Sequence, residues 1–380
     1  MTVTIAIDSF KGSLTSEQSG NAVKAAILSV FPDATVHVKR LADGGEGTVR
    51  AIVSARGGRI SKSWVTGPLG ERVEAEYGVI DSERTAVIEM SSASGITLVP
   101  PKKRDPYYTT TYGFGELIKE AITLHGCRRF ILGIGGSATN DGGAGMLSAL
   151  GFRLLDGSGA EIPPGAIGLS RLEKIEISSA LPELSECEFH VACDVKNPLC
   201  GKMGASYVFG PQKGADKSQV ESMDSWLKSF ADITEKTLGE DYSRVDGAGA
   251  AGGLGFALFA FLHGISESGI SIVIRETELE GYIKASDIVV TGEGRLDGQS
   301  AMGKAPVGVA KLSKKYGKRV IAFCGCVTDD AEICNDHGID AFFPILRAPV
   351  ALSEAMDVKN AEANIYATAK QVFSLISALK

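Results

Sequence analysis

The 380-residue chain has no apolar run of the about 18 or more residues that a membrane-spanning helix needs. Its most apolar stretch, Ala250 to Leu262, is shorter and broken by glycines. It also has no excess of positive charge. With 39 Lys and Arg against 46 Asp and Glu the net charge is −7, so nothing draws in nucleic acid or an anionic lipid surface. The opening MTVTIAIDSF lacks a basic segment followed by an apolar one, so no signal peptide is apparent and a cytoplasmic location is the expectation. The seven cysteines lack the dense spacing of a disulfide scaffold and read as reduced thiols. The five histidines stand at no metal-ligand spacing and Cys324-x-Cys326 has no partner pair, so zinc is not expected.

The nucleotide signatures are incomplete as well. No GxxxxGK followed by Ser or Thr occurs, and GIGGSA does not extend to the G-x-G-x-x-G frame with its downstream acid. No G-x-S-x-G elbow is present, which argues against acyl hydrolysis. Glycine, in contrast, is plentiful: 46 residues, well above the usual share of roughly 7%. The excess is clustered, and glycine clusters mark loops that need positive φ or close backbone approach.

The length suggests two compact units. Val3 to Ile7 is a β-branched run ending at Asp8, followed by a helix whose apolar positions from Ala22 to Val30 have helical spacing; Thr15 and Gln18 form a capping box before it. A strand from Thr35 to Leu41 leads into ADGGEGT and a second helix ending at Gly57-Gly58. Near the C-terminus strand and helix alternate again: DIVVT (287–291), Lys304 to Tyr316, Arg319 to Cys324, Asp329 to His337, Asp340 to Leu346 and a last helix from about Asn360. Such alternation implies a parallel sheet. Ser61 to Ile80, around Gly67-Pro68-Leu69-Gly70, reads as an antiparallel hairpin. The middle changes rhythm, with strands at Arg129 to Ile134 and Glu188 to Cys193 and helices near Gly113 to Leu124, Gly142 to Leu150 and Lys217 to Leu238. The expected fold is therefore α/β with two domains: a discontinuous Rossmann-like parallel-sheet domain, 1–81 and 285–380, and an inserted mixed α/β domain, 82–284. The cleft between them is the expected place for a site.

Five segments place glycines beside acidic, amide or hydroxyl side chains after an apolar strand: DSFKGS (8–13), ADGGEGT (42–48), GIGGSATNDGGAG (133–145), CDVKNPLCG (193–201) and TGEGRLDGQS (291–300). Ligands collect at the carboxyl ends of strands in open α/β sheets, where exposed backbone N–H groups favour anions. Together the segments supply what phosphoryl transfer needs: cations for phosphates, carboxylates for magnesium, and a group to orient the attacking hydroxyl. Lys11 is the candidate cation on the transferred phosphate, with a solvated surface lysine as the plain alternative. Asp43, Glu46, Asp141, Glu293 and Asp297 are the candidate magnesium carboxylates, with helix capping or a structural turn as the competing role. Ser9, Ser137, Thr139, Asn140, Asn197 and Lys304, with the backbone of Gly44, Gly45, Gly292 and Gly294, are the candidate nucleotide and substrate contacts. Asp194 is the first choice for general base and Asp43 the second.

At these residues the chain resembles the bacterial glycerate kinase family, through DSFKGS, ADGGEGT, GGSATNDGG, CDVxNPL, GAAGGLG and TGEGxLD, a match running from Ile5 to the C-terminal region. The resemblance implies phosphorylation of D-glycerate from ATP, in this branch at the 2-hydroxyl to give 2-phosphoglycerate, with ATP and Mg2+ as cofactors. The expected partners are these small molecules, without nucleic acid or membrane, and a homo-oligomer is left open. The working expectation places ATP and magnesium along the strand tips of the discontinuous domain and glycerate against the inserted one. Two rivals remain at this point: a nicotinamide-dependent hydroxy-acid dehydrogenase and a non-enzymatic module that binds a small acid.

Overall fold

In the computed structural model the chain is described for residues 1–379, the side chain of Met302 excepted. Lys380, the last residue of the expected range 285–380, lies outside the described residues. The strands are, in chain order, β1 (Thr2–Ile7), β2 (Thr35–Val38), β3 (Arg59–Thr66), β4 (Arg72–Ile80), β5 (Thr85–Glu89), β6 (Arg129–Gly133), β7 (Arg153–Leu155), β8 (Lys174–Glu176), β9 (Glu188–Ala192), β10 (Ile265–Glu267), β11 (Ile288–Leu296), β12 (Arg319–Val327) and β13 (Ala341–Pro344). They separate into two compact units, residues 1–43, 50–55 and 270–380 in one, 44–49 and 56–269 in the other.

The first unit is a five-stranded parallel sheet in the order β2-β1-β11-β12-β13. Its strands are apolar on both faces because helices cover both. On one face Val3, Ile5, Ile7, Val290 and Phe323 pack with Val23 and Ile27 of the helix Ser16–Val30 and with Ile365 and Phe373 of the helix Val358–Ala378. On the other, Ala6, Val289 and Ala322 pack with Val273, Ile283 and Val307 from three further helices. Thr15 and Gln18 form the expected reciprocal cap. The chain leaves β1 toward β2 on one side and later returns to β11 on the other, so the topological switch lies between β1 and β11.

The second unit carries a six-stranded mixed sheet, β10-β9-β6-β5-β4-β3, and the antiparallel pair β7-β8. β9, β6 and β5 run parallel, whereas β5-β4-β3 is an antiparallel meander. The hairpin expected around Gly67 is present, but it continues the sheet of the second unit. The expected boundary at 81/82 therefore falls inside that sheet, because β4 hydrogen-bonds to β5 and leaves the hairpin no pairing in the first unit. The downstream boundary lies at 269/270 rather than at 284/285. The expected helix Asp329 to His337 is a 3-10 turn, Asp329–Glu332, followed by the short helix Ile333–Asp336. No helix among the described residues is long and apolar enough to cross a membrane.

Candidate active site

At the switch point of the first unit lies a cavity of about 410 Å³. Its lining includes Asp8, Ser9, Lys11 and Ser13 from the loop after β1, Asp43 after β2, and Glu293, Gly294, Arg295, Asp297 and Lys304 from β11 and the segment that follows it. This is the crevice outside the strand carboxyl ends where α/β sheets bind ligands. Six expected site residues thus meet here: Ser9, Lys11, Asp43, Glu293, Asp297 and Lys304, with Gly294 beside them. Glu293 does not sit in a loop beyond DIVVT as expected. β11 runs on to Leu296, pairing Glu293 with Cys324 and Arg295 with Cys326 of β12. Gly292 is part of the same pairing. A Cβ there would stand 1.9 Å from the Phe323 carbonyl oxygen, so the glycine permits the close approach of β11 and β12.

The cavity floor is an acidic cluster under electrostatic tension. Asp8 is buried, and burial, followed by the charge of Asp43, pushes its carboxyl up to about 7; the Ser9 amide and the Lys11 charge oppose the rise. Glu293 is also raised, first by burial, although the Ser300 hydroxyl donates to it and Lys304 counters. Asp297 accepts from the Gln299 and Ser300 amides just before the 3-10 turn Ser300–Met302 and stands 3.7 Å from Lys304 Nζ and 3.6 Å from Arg295 Nε, facing two cations. The raised Asp8 has a consequence for stability. Folded Asp8 keeps its proton to about 7 while the unfolded carboxyl releases it near 3.8, so the contribution is complete below 3.8 and is lost as pH rises through 7. Asp8→Asn is expected to shrink the fall in melting temperature between pH 5 and pH 7.5 by several degrees, read by thermal denaturation at both values; an unchanged fall would remove Asp8 as its source.

The second unit holds the other expected residues. Asp194 is exposed just beyond β9 and accepts from the Gly269 amide at 3.2 Å. Gly44 packs on Ala192 and on Gly269, which brings the ADGGEG segment to the tip of β9. Glu89 at the end of β5 accepts from the Val49 amide at 2.8 Å and from those of Gly47 and Thr48, and burial raises its carboxyl to about 7. Glu46 is exposed and is not among the residues lining the cavity that holds Asp43. Gly45 is half-buried in the same segment.

The structure turns Asp141 inward, toward backbone amides and Thr111. It is fully buried, and its carboxylate takes up the Thr111 amide and hydroxyl at 2.8 Å and the Gly143 and Gly145 amides at 3.2 Å. Its neighbours are also drawn inward. Thr139 offers its carbonyl to the buried Lys213 Nζ at 2.6 Å, and Asn140 donates to Ser206. Ser137 is nearly buried, in a bridge to Gly95. Asn197 donates to the Met203 carbonyl and so serves its own loop.

With this geometry in place, comparison with known proteins is decisive. The sequence model of the glycerate kinase family matches residues 3–377. The chain belongs to that family. A glycerate kinase of Haemophilus influenzae is 47% identical over 99% of both chains, and a glycerate 2-kinase of Escherichia coli is 48% identical over 97% of this chain and 98% of its own. A crystal structure from Salmonella typhimurium LT2, provisionally named glycerate kinase 2, superposes with a TM-score of 0.89 at 46% identity, covering 100% of this chain and 98% of that one.

Within this glycerate kinase fold, sequence reasoning missed Asp8, Ser13 and Arg295 in the cavity, Ser300 behind Glu293, and Glu89 and Lys213 in the second unit. Asp8 had a signal, since it is the first residue past β1 at a strand tip. Glu89 and Lys213 had none, because their roles are set by segments 40 and 74 residues away in sequence.

Proposed function

We propose that the chain is an ATP-dependent glycerate 2-kinase, transferring the γ-phosphoryl group of ATP to the 2-hydroxyl of D-glycerate. The observation that carries this reading is the switch-point cavity, where Asp8, Asp43 and Glu293 face Lys11, Lys304 and Arg295. Lys11 and Lys304 offer point charges to phosphate oxygens. The carboxylates suit a divalent cation: burial, with the Asp43 charge behind it, pushes Asp8 up to about 7, and a positive ion would relieve both the crowding and the cost of ionising a buried carboxyl. Among the described residues no three Asp, Glu, His or Cys side chains form a closed metal cage. Magnesium at phosphates commonly takes only one or two carboxylates, which Asp43 and Glu293 would supply. Bound there, it would neutralise charge developing on the phosphoryl oxygens.

In the transfer, the glycerate hydroxyl oxygen forms a bond to the γ-phosphorus as the bond to the β–γ bridging oxygen breaks, and ADP leaves. The hydroxyl proton passes to a carboxylate base, for which Asp194 is the candidate. Since the transition state is loose, the larger contributions from the chain are alignment and charge balance. The seven free thiols suit the reducing cytoplasm. Phosphorus NMR of D-glycerate incubated with ATP, magnesium and the protein is the direct test. The expected product signal is that of 2-phosphoglycerate; phosphorylation at the 3-hydroxyl would correct the position, and no phosphoglycerate at all would end the proposal.

A further inference from the structure

The switch-point cavity is not charged throughout. Phe10, Ile345, Leu346, Leu352, Ala355 and Met356 also line it. Three of these large apolar side chains are open to solvent, Leu352 at 77%, Leu346 at 39% and Met356 at 36% exposure. A single exposed leucine needs no explanation, but three large apolar side chains within eleven residues, all on the wall of one cavity, mark a surface that is covered when a ligand is bound. The wall adjoins the phosphate end. A Cβ on Gly12, whose φ is +77°, would stand 3.1 Å from the Met356 methyl, so Met356 lies against the turn that presents Lys11.

Glycerate, a three-carbon hydroxy acid, has no apolar surface to offer such a wall. A nucleoside triphosphate has an anionic chain at one end and a flat base at the other, matching a cavity with lysines and carboxylates in one part and aliphatic side chains in another. We propose that Leu346, Leu352 and Met356, with Phe10, form the subsite for the nucleobase of the phosphoryl donor. The assignment rests on reading the cavity as the nucleotide site. Three of these four side chains are aliphatic, so the wall holds the base mainly by dispersion and desolvation of its faces.

The test combines kinetics with a chemical probe. Leu352→Asp changes a mostly exposed side chain and leaves the core intact. It is expected to raise the KM for ATP about tenfold while the KM for D-glycerate stays within twofold, with Leu352→Met close to the parent. Independently, the exposed Cys326 thiol lines the same cavity and reports occupancy. Its alkylation by N-ethylmaleimide, followed by peptide mass spectrometry, is expected to slow at least fivefold with ATP and with adenosine, which lacks phosphates, but not with D-glycerate. Unchanged ATP KM in Leu352→Asp and no protection by adenosine, in a protein that does make phosphoglycerate, would overturn the base subsite and leave the kinase proposal standing. Protection by adenosine in a protein that makes no phosphoglycerate would do the reverse.

Discussion

Replacing Asp141 by alanine is expected to destabilise the second unit by about 3–5 kcal/mol, since its loss strips four buried donors of their acceptor at about 1–3 kcal/mol each before the surroundings relax. The carboxylate holds three backbone amides and the Thr111 hydroxyl, none of which has water to turn to at a fully buried site. Its loss also removes the Asp141 charge that favours the protonated form of Lys213. Burial already lowers Lys213 to about 7, with the Asp141 charge opposing. At roughly 2–4 °C per kcal/mol for a unit of this size, the melting temperature should fall by on the order of 10 °C. Adding Lys213→Met to Asp141→Ala should recover part of the loss, since the double variant buries no unpaired charge. The comparison separates two roles. If Asp141→Ala melts within a degree of the parent and yet abolishes turnover, Asp141 belongs to the reaction, and the structural assignment is wrong.

Asp141 shows where sequence reading stops. In GGSATNDGG an acid among glycines and hydroxyls has the composition of a phosphate or metal loop, and composition cannot tell whether the carboxylate points out to a ligand or in toward its own backbone. The decision is made by Thr111, thirty residues away. The same holds at Gly252 in the apolar run from Ala250 to Leu262. That run is helical, but Ala251, Gly252 and Gly253 have positive φ, and a Cβ on Gly252 would stand 2.0 Å from the Thr139 carbonyl oxygen. Close approach to the 137–141 loop, invisible locally, explains the glycine.

Features settled over a few residues were legible. The helix Lys217–Leu238 appears with its expected ends because Asp216 and Gln219 cap its start and Gly239 closes it in the left-handed conformation. The alternation of strand and helix at both ends indicated a parallel sheet, and that sheet forms. What could not be read was pairing at a distance. β11 continues through the polar GEGRL because β12 supplies hydrogen bonds along its whole length, and the hairpin β3-β4 joins the second sheet because β5 accepts it. Of the candidate site, the loop after β1 and the residues on and after β11 were found by their strand-tip position. Glu46, Asp141, Gly292 and Asn197 were drawn in by the same motif grammar, although each has a local structural use or an open, separate position.

Asp194→Asn is expected to lower kcat by about 10² to 10⁴, the range for losing a general base, and the loose transition state of phosphoryl transfer favours the lower end because the hydroxyl gives up its proton late. The amide is close to isosteric and keeps an oxygen for the Gly269 N–H, so melting temperature and the KM for ATP should stay near those of the parent. This pattern of lost turnover with intact stability is the opposite of that expected for Asp141→Ala, and the pair tests whether the two acidic loops have been assigned the right way round. Asp43, the second choice for the base, sits in the cavity where its charge raises both Asp8 and Glu293. If Asp43 served a cation, Asp43→Asn would raise the magnesium concentration needed for half-maximal rate. If it served as the base, saturating magnesium would not restore the rate. Turnover within threefold of the parent in Asp194→Asn, together with a loss in Asp43→Asn that magnesium cannot rescue, would transfer the proton-accepting role to Asp43.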